Sequence, residues 1–303
     1  MKTLFHILVA ALSTAIPLIT SSTSHAAVIT LSTTDNSTEN SFGNSSGTGL
    51  SPAAPSSHWS NAGNISSSDD YVVSGGRVLR TINDGGDVTF FGNSLTIDNG
   101  TLALKGGGPA TAFTVSDLQL NNGGTLSQSA NGPNHNATLL GSIEVLAGGG
   151  FLANNVSTRT LTLGTSLAGA GNLTIASGAT GKFVFSLTDA ATFTGSLILN
   201  DGQVSFTNAL VSGGGMIANT GTVISLDQNL TFTGLTIQGN VFANGTYSYA
   251  TLNSTYDSIF ADGGSGSITV VPEPSTWAMV VAGAMGTMFC YRRRRSYLWM
   301  SRQ

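Results

Sequence analysis

The chain has 303 residues, 40% of them hydrophobic and enough for a substantial core, yet only 9% are charged, against about 25% in ordinary soluble domains. Between Ala27 and Val270 there are five basic residues (Arg77, Arg80, Lys105, Arg159, Lys182) and fourteen acidic ones, a net charge of −9 for that segment. So sparse and negative a body has no electrostatic grip on phosphate backbones, which excludes nucleic acid as a partner.

The first predicted element is "MKTLFHILVAALSTAIPLITSSTSHA", with Lys2, an apolar stretch from Leu4 to Ile19 and the small-residue pattern Ser24-His25-Ala26. This is the layout of a secretory signal peptide, residues 1–26, with cleavage after Ala26 or Ala27. Residues 27–57 are dominated by Ser, Thr, Asn and Gly. Only Val28-Ile29-Thr30-Leu31 has strand character there, so one strand that caps or joins the body is expected, followed by a linker. Gly43-Asn44-Ser45-Ser46-Gly47 satisfies G-x-S-x-G, but neither flank supplies the strand and helix that make a nucleophile elbow.

Residues 58–270 are expected to form the body. Its 39 chain-wide glycines and abundant Thr and Asn suit turns and strand surfaces, while strong helix formers are nearly missing, so the fold class is all-β. Short apolar pairs recur around Asn/Asp/Gly turns: "SLTIDNGTLALKG" at 94, "DLQLNNGGTLSQ" at 117, "SIEVLAGGGFLAN" at 142, "NLTIASG" at 172 and "SLILNDGQVSF" at 196. Their inward candidates are Leu95 and Ile97, Leu118 and Leu120, Ile143 and Val145, Leu173 and Ile175, and Leu197 and Leu199. "TLTLGTS" at 160 adds an intermediate strand. Imperfect repeats of this length predict a right-handed parallel β-helix, in which stacked coils bury what one coil cannot. A β-sandwich is the alternative, because "DNG" and "NDG" also make hairpin turns.

Chemistry-bearing residues in the body are few. His58 and His135 lie in loop-like contexts and are expected to be solvated. Asp69-Asp70 and Asp84 with Asp87 are the nearest approach to carboxylate clusters, and beside glycine they read as turn residues. A polysaccharide hydrolase or lyase would need two carboxyls across one bond, or a base with a cation. Trp59 and Tyr71 are candidate rings for stacking on a glycan, and Trp59 would equally plug the first coil. No enzyme activity, cofactor or metal site is expected.

The last element is residues 271–303. Val271-Pro272-Glu273-Pro274 precedes seventeen uncharged residues, Ser275 to Tyr291, and then Arg292, Arg293, Arg294 and Arg295. As a helix the apolar run spans about 25 Å, close to a hydrocarbon core of about 30 Å once the arginine stems extend it. A cationic cluster stays on the cytoplasmic side, which leaves the body outside and agrees with the leader. The two prolines hold the preceding peptide extended and accessible. Cys290, the single cysteine, falls in this run, so no intrachain disulfide or cysteine metal site is available.

The ordered set of Pro272, Glu273 and Pro274, an apolar span and Arg292–Arg295 resembles the PEP-CTERM sorting signal of bacterial surface and secreted proteins. That resemblance implies recognition by an exosortase-like sorting peptidase, a transient membrane anchor, and a place at the cell surface or in an extracellular matrix with polysaccharide. The tail "YLWMSRQ" after Ser296 is longer than is common in that family. Units such as "GAGNLTIASG", Gly169 to Gly178, are similar to autotransporter-associated β-strand repeats, as are the segments His58–Thr81, Thr89–Gly106 and Gly245–Val270. They imply a β-helical passenger and no particular chemistry.

Overall fold

The computed structural model describes residues 26–35, 42, 58–61, 65–81, 86–105, 111–129 and 135–272. The leader through position 25, most of the linker including Gly43–Gly47, and everything from Glu273 onward lie outside the described residues.

Among the described residues the strands fall into three sheets. The first runs in space through β1 (Val28–Thr30), β2 (Asp70–Ser74), β5 (Ser94–Asp98), β7 (Thr111–Asn121), β9 (Ala137–Val145), β11 (Thr160–Ala168), β13 (Lys182–Phe185), β15 (Gly202–Phe206) and β18 (Thr222–Ser225), with β4 (Val88–Thr89) also beside β7. The second runs through β3 (Val78–Arg80), β6 (Thr101–Leu104), β8 (Gly124–Gln128), β10 (Gly150–Ala153), β12 (Leu173–Ile175), β14 (Leu197–Leu199), β17 (Gly215–Ala218), β20 (Gly234–Ile237) and β21 (Asn240–Val241). The third contains β16 (Leu210–Val211), β19 (Asn229–Phe232), β23 (Ser267–Val270) and β22 (Gly245–Ser248). A short helix, α1 (Tyr249–Asn253), follows β22.

Spatial order in the first two sheets follows chain order, and the chain visits the sheets in turn, as a wound coil must. Pairings between these strands are parallel except β20 with β21 and β22 with β23. The body is therefore a parallel β-solenoid. The sandwich alternative falls because sandwiches are built from antiparallel ladders. Asp98-Asn99-Gly100 and Asn200-Asp201-Gly202 are corners between sheets, not hairpins, joining β5 to β6 and β14 to β15. Asn99 (φ 52°) and Asn122 (φ 48°) take the left-handed backbone such corners require, a conformation asparagine adopts more readily than most residues.

All ten predicted inward residues are buried. In the first sheet Tyr71, Leu95, Leu118, Ile143 and Leu167 stack in register, as do Val73, Ile97, Leu120 and Val145. In the second, Leu102, Leu126, Leu152, Ile175, Leu199, Ala218 and Ile237 stack at separations of 24, 26, 23, 24, 19 and 19 residues. The coils thus shorten towards the C-terminal end. Each fully buried leucine contributes about 1.5–3 kcal/mol, realised only because the neighbouring coil covers it.

The five sequence repeats are not equivalent in the fold. Those at 94, 117 and 142 start on the first sheet and cross to the second, whereas those at 172 and 196 start on the second. The unit has slipped by one face, which explains the long gap between the third and fourth. Inward and outward residues alternate on every face alike, so alternation alone does not identify the face.

One corner is built by close backbone approach. A Cβ on Gly171 would overlap the Leu146 carbonyl oxygen, one on Gly195 the Gly171 oxygen, and one on Gly214 the Gly195 oxygen. Glycine is required at this column because each coil's carbonyl occupies the space a side chain would need in the next.

Candidate functional site

The sorting junction is positioned by the last rung. β23 lies between β19, parallel, and β22, antiparallel, with Ile268 and Val270 buried. The next residue, Val271, still donates its N–H to the Phe232 carbonyl at 2.9 Å. Pro272 is exposed and has no N–H to extend the ladder. Among the described residues, the motif begins one residue after the final ladder hydrogen bond. Glu273, Pro274, the span Ser275–Tyr291 and Arg292–Arg295 lie outside the described residues. Among the described residues no helix is long and apolar enough to cross a membrane.

The two aromatic residues singled out as glycan platforms belong to the core. Trp59 is 2% exposed and Tyr71 fully buried. Their rings meet edge-on at 4.9 Å, and Tyr71 meets Phe90 at 5.4 Å, with Phe42 against Phe90 and Phe113. No ring face is left for a sugar, so neither Trp59 nor Tyr71 is a stacking platform. The cluster closes the N-terminal end of the solenoid, and Leu31 bridges Trp59 to β1's strand. The Tyr71 hydroxyl accepts the Ser66 N–H at 2.7 Å. Burial raises its pKa, the Ser66 bond opposes this, and the Asp69 charge adds to it.

His58 also departs from expectation. It is buried, not solvated, and its Nδ1 lies 2.8 Å from Asp35 Oδ1. The other Asp35 oxygen accepts the Arg80 N–H at 2.9 Å, and the Asp35 N–H donates to Val78 at 3.0 Å. Asp35 therefore extends the second sheet beyond β3 and fastens the segment after β1 over it. Lys105 is buried nearby, its N–H on the Thr81 hydroxyl at 2.8 Å. Desolvation lowers its pKa most, the Arg80 charge lowers it further, and Asp35 pulls it back up. Neither Asp35 nor Lys105 was singled out by sequence. The available signal was one of two acids, with Glu39, in a segment of hydroxyl and amide residues, and nothing local marks its partner 23 positions away. His135 is half-buried, and its carbonyl accepts from Gln128 Nε2.

The carboxylates serve as ties between coils or within turns. Asp70 accepts from Ser94 at 2.7 Å and Asn93 at 2.8 Å, bonds that lower its pKa against a smaller desolvation effect. Asp87 accepts the Ala112 N–H, Asp98 the Asn122 amide, and Asp201 the Gly178 N–H. Asp84 lies outside the described residues, and among those described no three His, Cys, Asp or Glu side chains converge as a metal site would require.

Residues 270–295 match the family model described as the PEP-CTERM protein-sorting motif. No curated protein and no solved structure matches the chain. The matched segment starts on the last residue of β23, two residues before the exposed Pro272. The chain is thus an exported, cell-surface-associated β-solenoid protein that bears a PEP-CTERM sorting signal, and that signal implies recognition by an exosortase-like sorting system.

Proposed function

We propose that the protein is a non-enzymatic solenoid of the cell envelope or extracellular matrix, held transiently in the membrane and released or transferred by an exosortase-like peptidase. Ser275–Tyr291 forms the transmembrane helix, Arg292–Arg295 hold its end in the cytoplasm, and Pro272, Glu273 and Pro274 present the recognition strand outside. The coil is right-handed, as parallel crossovers nearly always are. The likeness to autotransporter-associated passengers belongs to this reading as a likeness of repeat units.

The observation that carries the proposal is the junction itself. The body closes its last hydrogen bond at Val271 and the sorting motif starts at Pro272, so a peptidase cutting beyond the motif leaves the solenoid whole. A structural, non-catalytic body is supported by the use of Asp70, Asp87, Asp98 and Asp201 as hydrogen-bond ties. A carboxylate committed to a backbone or amide donor is poorly placed to act as acid or base.

Mass spectrometry of the mature C-terminus, from cells with and without the sorting peptidase, tests the proposal. Trp277 to Arg295 should be lost only when the peptidase is present. Retention in both strains would make the protein a permanent membrane resident and overturn the reading.

A further inference from the structure

We infer that the outer face of the second sheet binds a neutral saccharide, with Phe151 as its platform. On this face the residues in register with Phe151 are Thr125 on the preceding coil and Thr174 on the following one, continuing to Ile198, Ile217 and Thr236. This stripe carries no charge. At about 4.8 Å per strand its six rungs span about 24 Å. Phe151 is the large ring in it and is 39% exposed.

Beside that ring lies a recess of about 220 Å³, bordered by Gly148, Gly149, Phe151, Asn172 and Thr174. Its shape follows from the local sequence. Gly149 presents no side chain at the corner entering β10, where a Cβ would face the Asn172 backbone of the next coil, so a hollow opens on that side. On the other side the ring is supported, since a Cβ on Gly123 would lie 3.3 Å from the Phe151 edge. The ring is thus backed by the preceding coil and open towards the following one. Asn172 Oδ1 accepts the Ser196 N–H at 2.9 Å, which fixes the amide so that Nδ2 remains a donor at the rim. The Thr174 hydroxyl supplies a donor and an acceptor next to it.

An aromatic ring flanked by an amide donor and a hydroxyl, with no charge, matches a pyranose, which has an apolar C–H face and a rim of hydroxyl groups. The recess is smaller than the 300–1,000 Å³ usual for drug-sized ligands, so it takes one ring of a polymer whose neighbours lie along the stripe. The net charge of −9 on the body disfavours uronic-acid polymers. A peptide strand is disfavoured because β10 is already paired on both edges and offers no free ladder. The inference takes its setting from the exported solenoid proposed above but is tested independently of C-terminal processing.

The test is calorimetric titration of the full chain with cello-, laminari- and maltohexaose and with an oligogalacturonate hexamer, alongside the oligomeric state in solution. At least one neutral hexaose should bind. Phe151→Ala should weaken it tenfold or more and Thr174→Val a few-fold, while Phe91→Ala, which alters another exposed ring (53%), should leave it unchanged. Unaltered thermal midpoints separate these effects from misfolding. Four outcomes would overturn the inference: no neutral hexaose binds, the oligogalacturonate binds preferentially, Phe151→Ala binds as wild type, or Phe151→Ala merely dissociates a dimer, which would make the stripe an interface between copies of the chain.

Discussion

The two ends of the solenoid solve the same problem by different means. A stack of coils exposes an uncovered core and unpaired strand edges at each end, and both must be closed. At the N-terminal end closure is by side chains from segments distant in sequence: Phe42, Trp59, Tyr71, Phe90 and Phe113 fill the core opening, and Asp35 reaches His58 and the Arg80 amide. At the C-terminal end closure is by backbone reversal. β21 folds back on β20 and β22 on β23, and Ser248 caps the five-residue α1 by accepting the Thr251 N–H. The first closure rests on fully buried rings, the second on reversed strands together with a partly buried ring cluster, Phe242 against Tyr247 and Tyr256.

This contrast is open to measurement, and the largest effect belongs to the aromatic closure. Trp59→Ala should destabilise by about 3–5 kcal/mol, the cost of emptying a buried aromatic site, read as a lower denaturation midpoint. Because coils interact mainly with their neighbours, amide exchange in β19 and β23 should be little affected. Equal loss of protection at both ends would mean that the solenoid unfolds as one unit and that the two closures are not independent.

A smaller effect concerns Asp70, which ties the second rung of the first sheet to the third. Its folded-state pKa lies below the ordinary 3.8 because the bonds from Ser94 and Asn93 favour the carboxylate. Those bonds therefore stabilise fully above about pH 4 and are lost as pH falls through the lowered folded value. The group is partly solvated, so the contribution is about 1 kcal/mol or less. Asp70→Asn should flatten the acid limb of the stability curve by that amount, and an unchanged limb would remove Asp70 from the account.

The smallest effect is expected at the other end. Removing residues 275–303 should shift the midpoint by no more than about 0.5 kcal/mol, since β23 completes its bonding through Val271. A larger loss would show that residues 275–303 are part of the fold.

Much of this architecture was legible in the residues. The leucine and isoleucine pairs around Asn-Gly and Asp-Gly turns identified the inward face, because alternation with period two is a local property of any strand. Asn99 could be assigned to a left-handed corner on its own chemistry. Repeat length favoured parallel coils, but the same turn residues also make hairpins, and only the register of β5 on β7 and β7 on β9 decides between the two. Trp59 and Tyr71 were misjudged as platforms since an aromatic near a loop reads alike whether it faces water or plugs a coil. Phe151 was overlooked because it stands in an apolar "GGGFLAN" run whose neighbour Leu152 is buried.

Sequence alone determined the properties that depend on order along the chain: the all-β class, the apolar ladder and the position of the sorting motif. Each is written in adjacent residues, where spacing and chemistry are enough. Tertiary structure decided what depends on residues many positions apart coming together: which face each repeat occupies, the Asp35–His58 pair, the aromatic closure and the exposure of Phe151. The reason is that a coil of some twenty residues buries nothing by itself. Its inside and outside are defined only when the next coil lies against it.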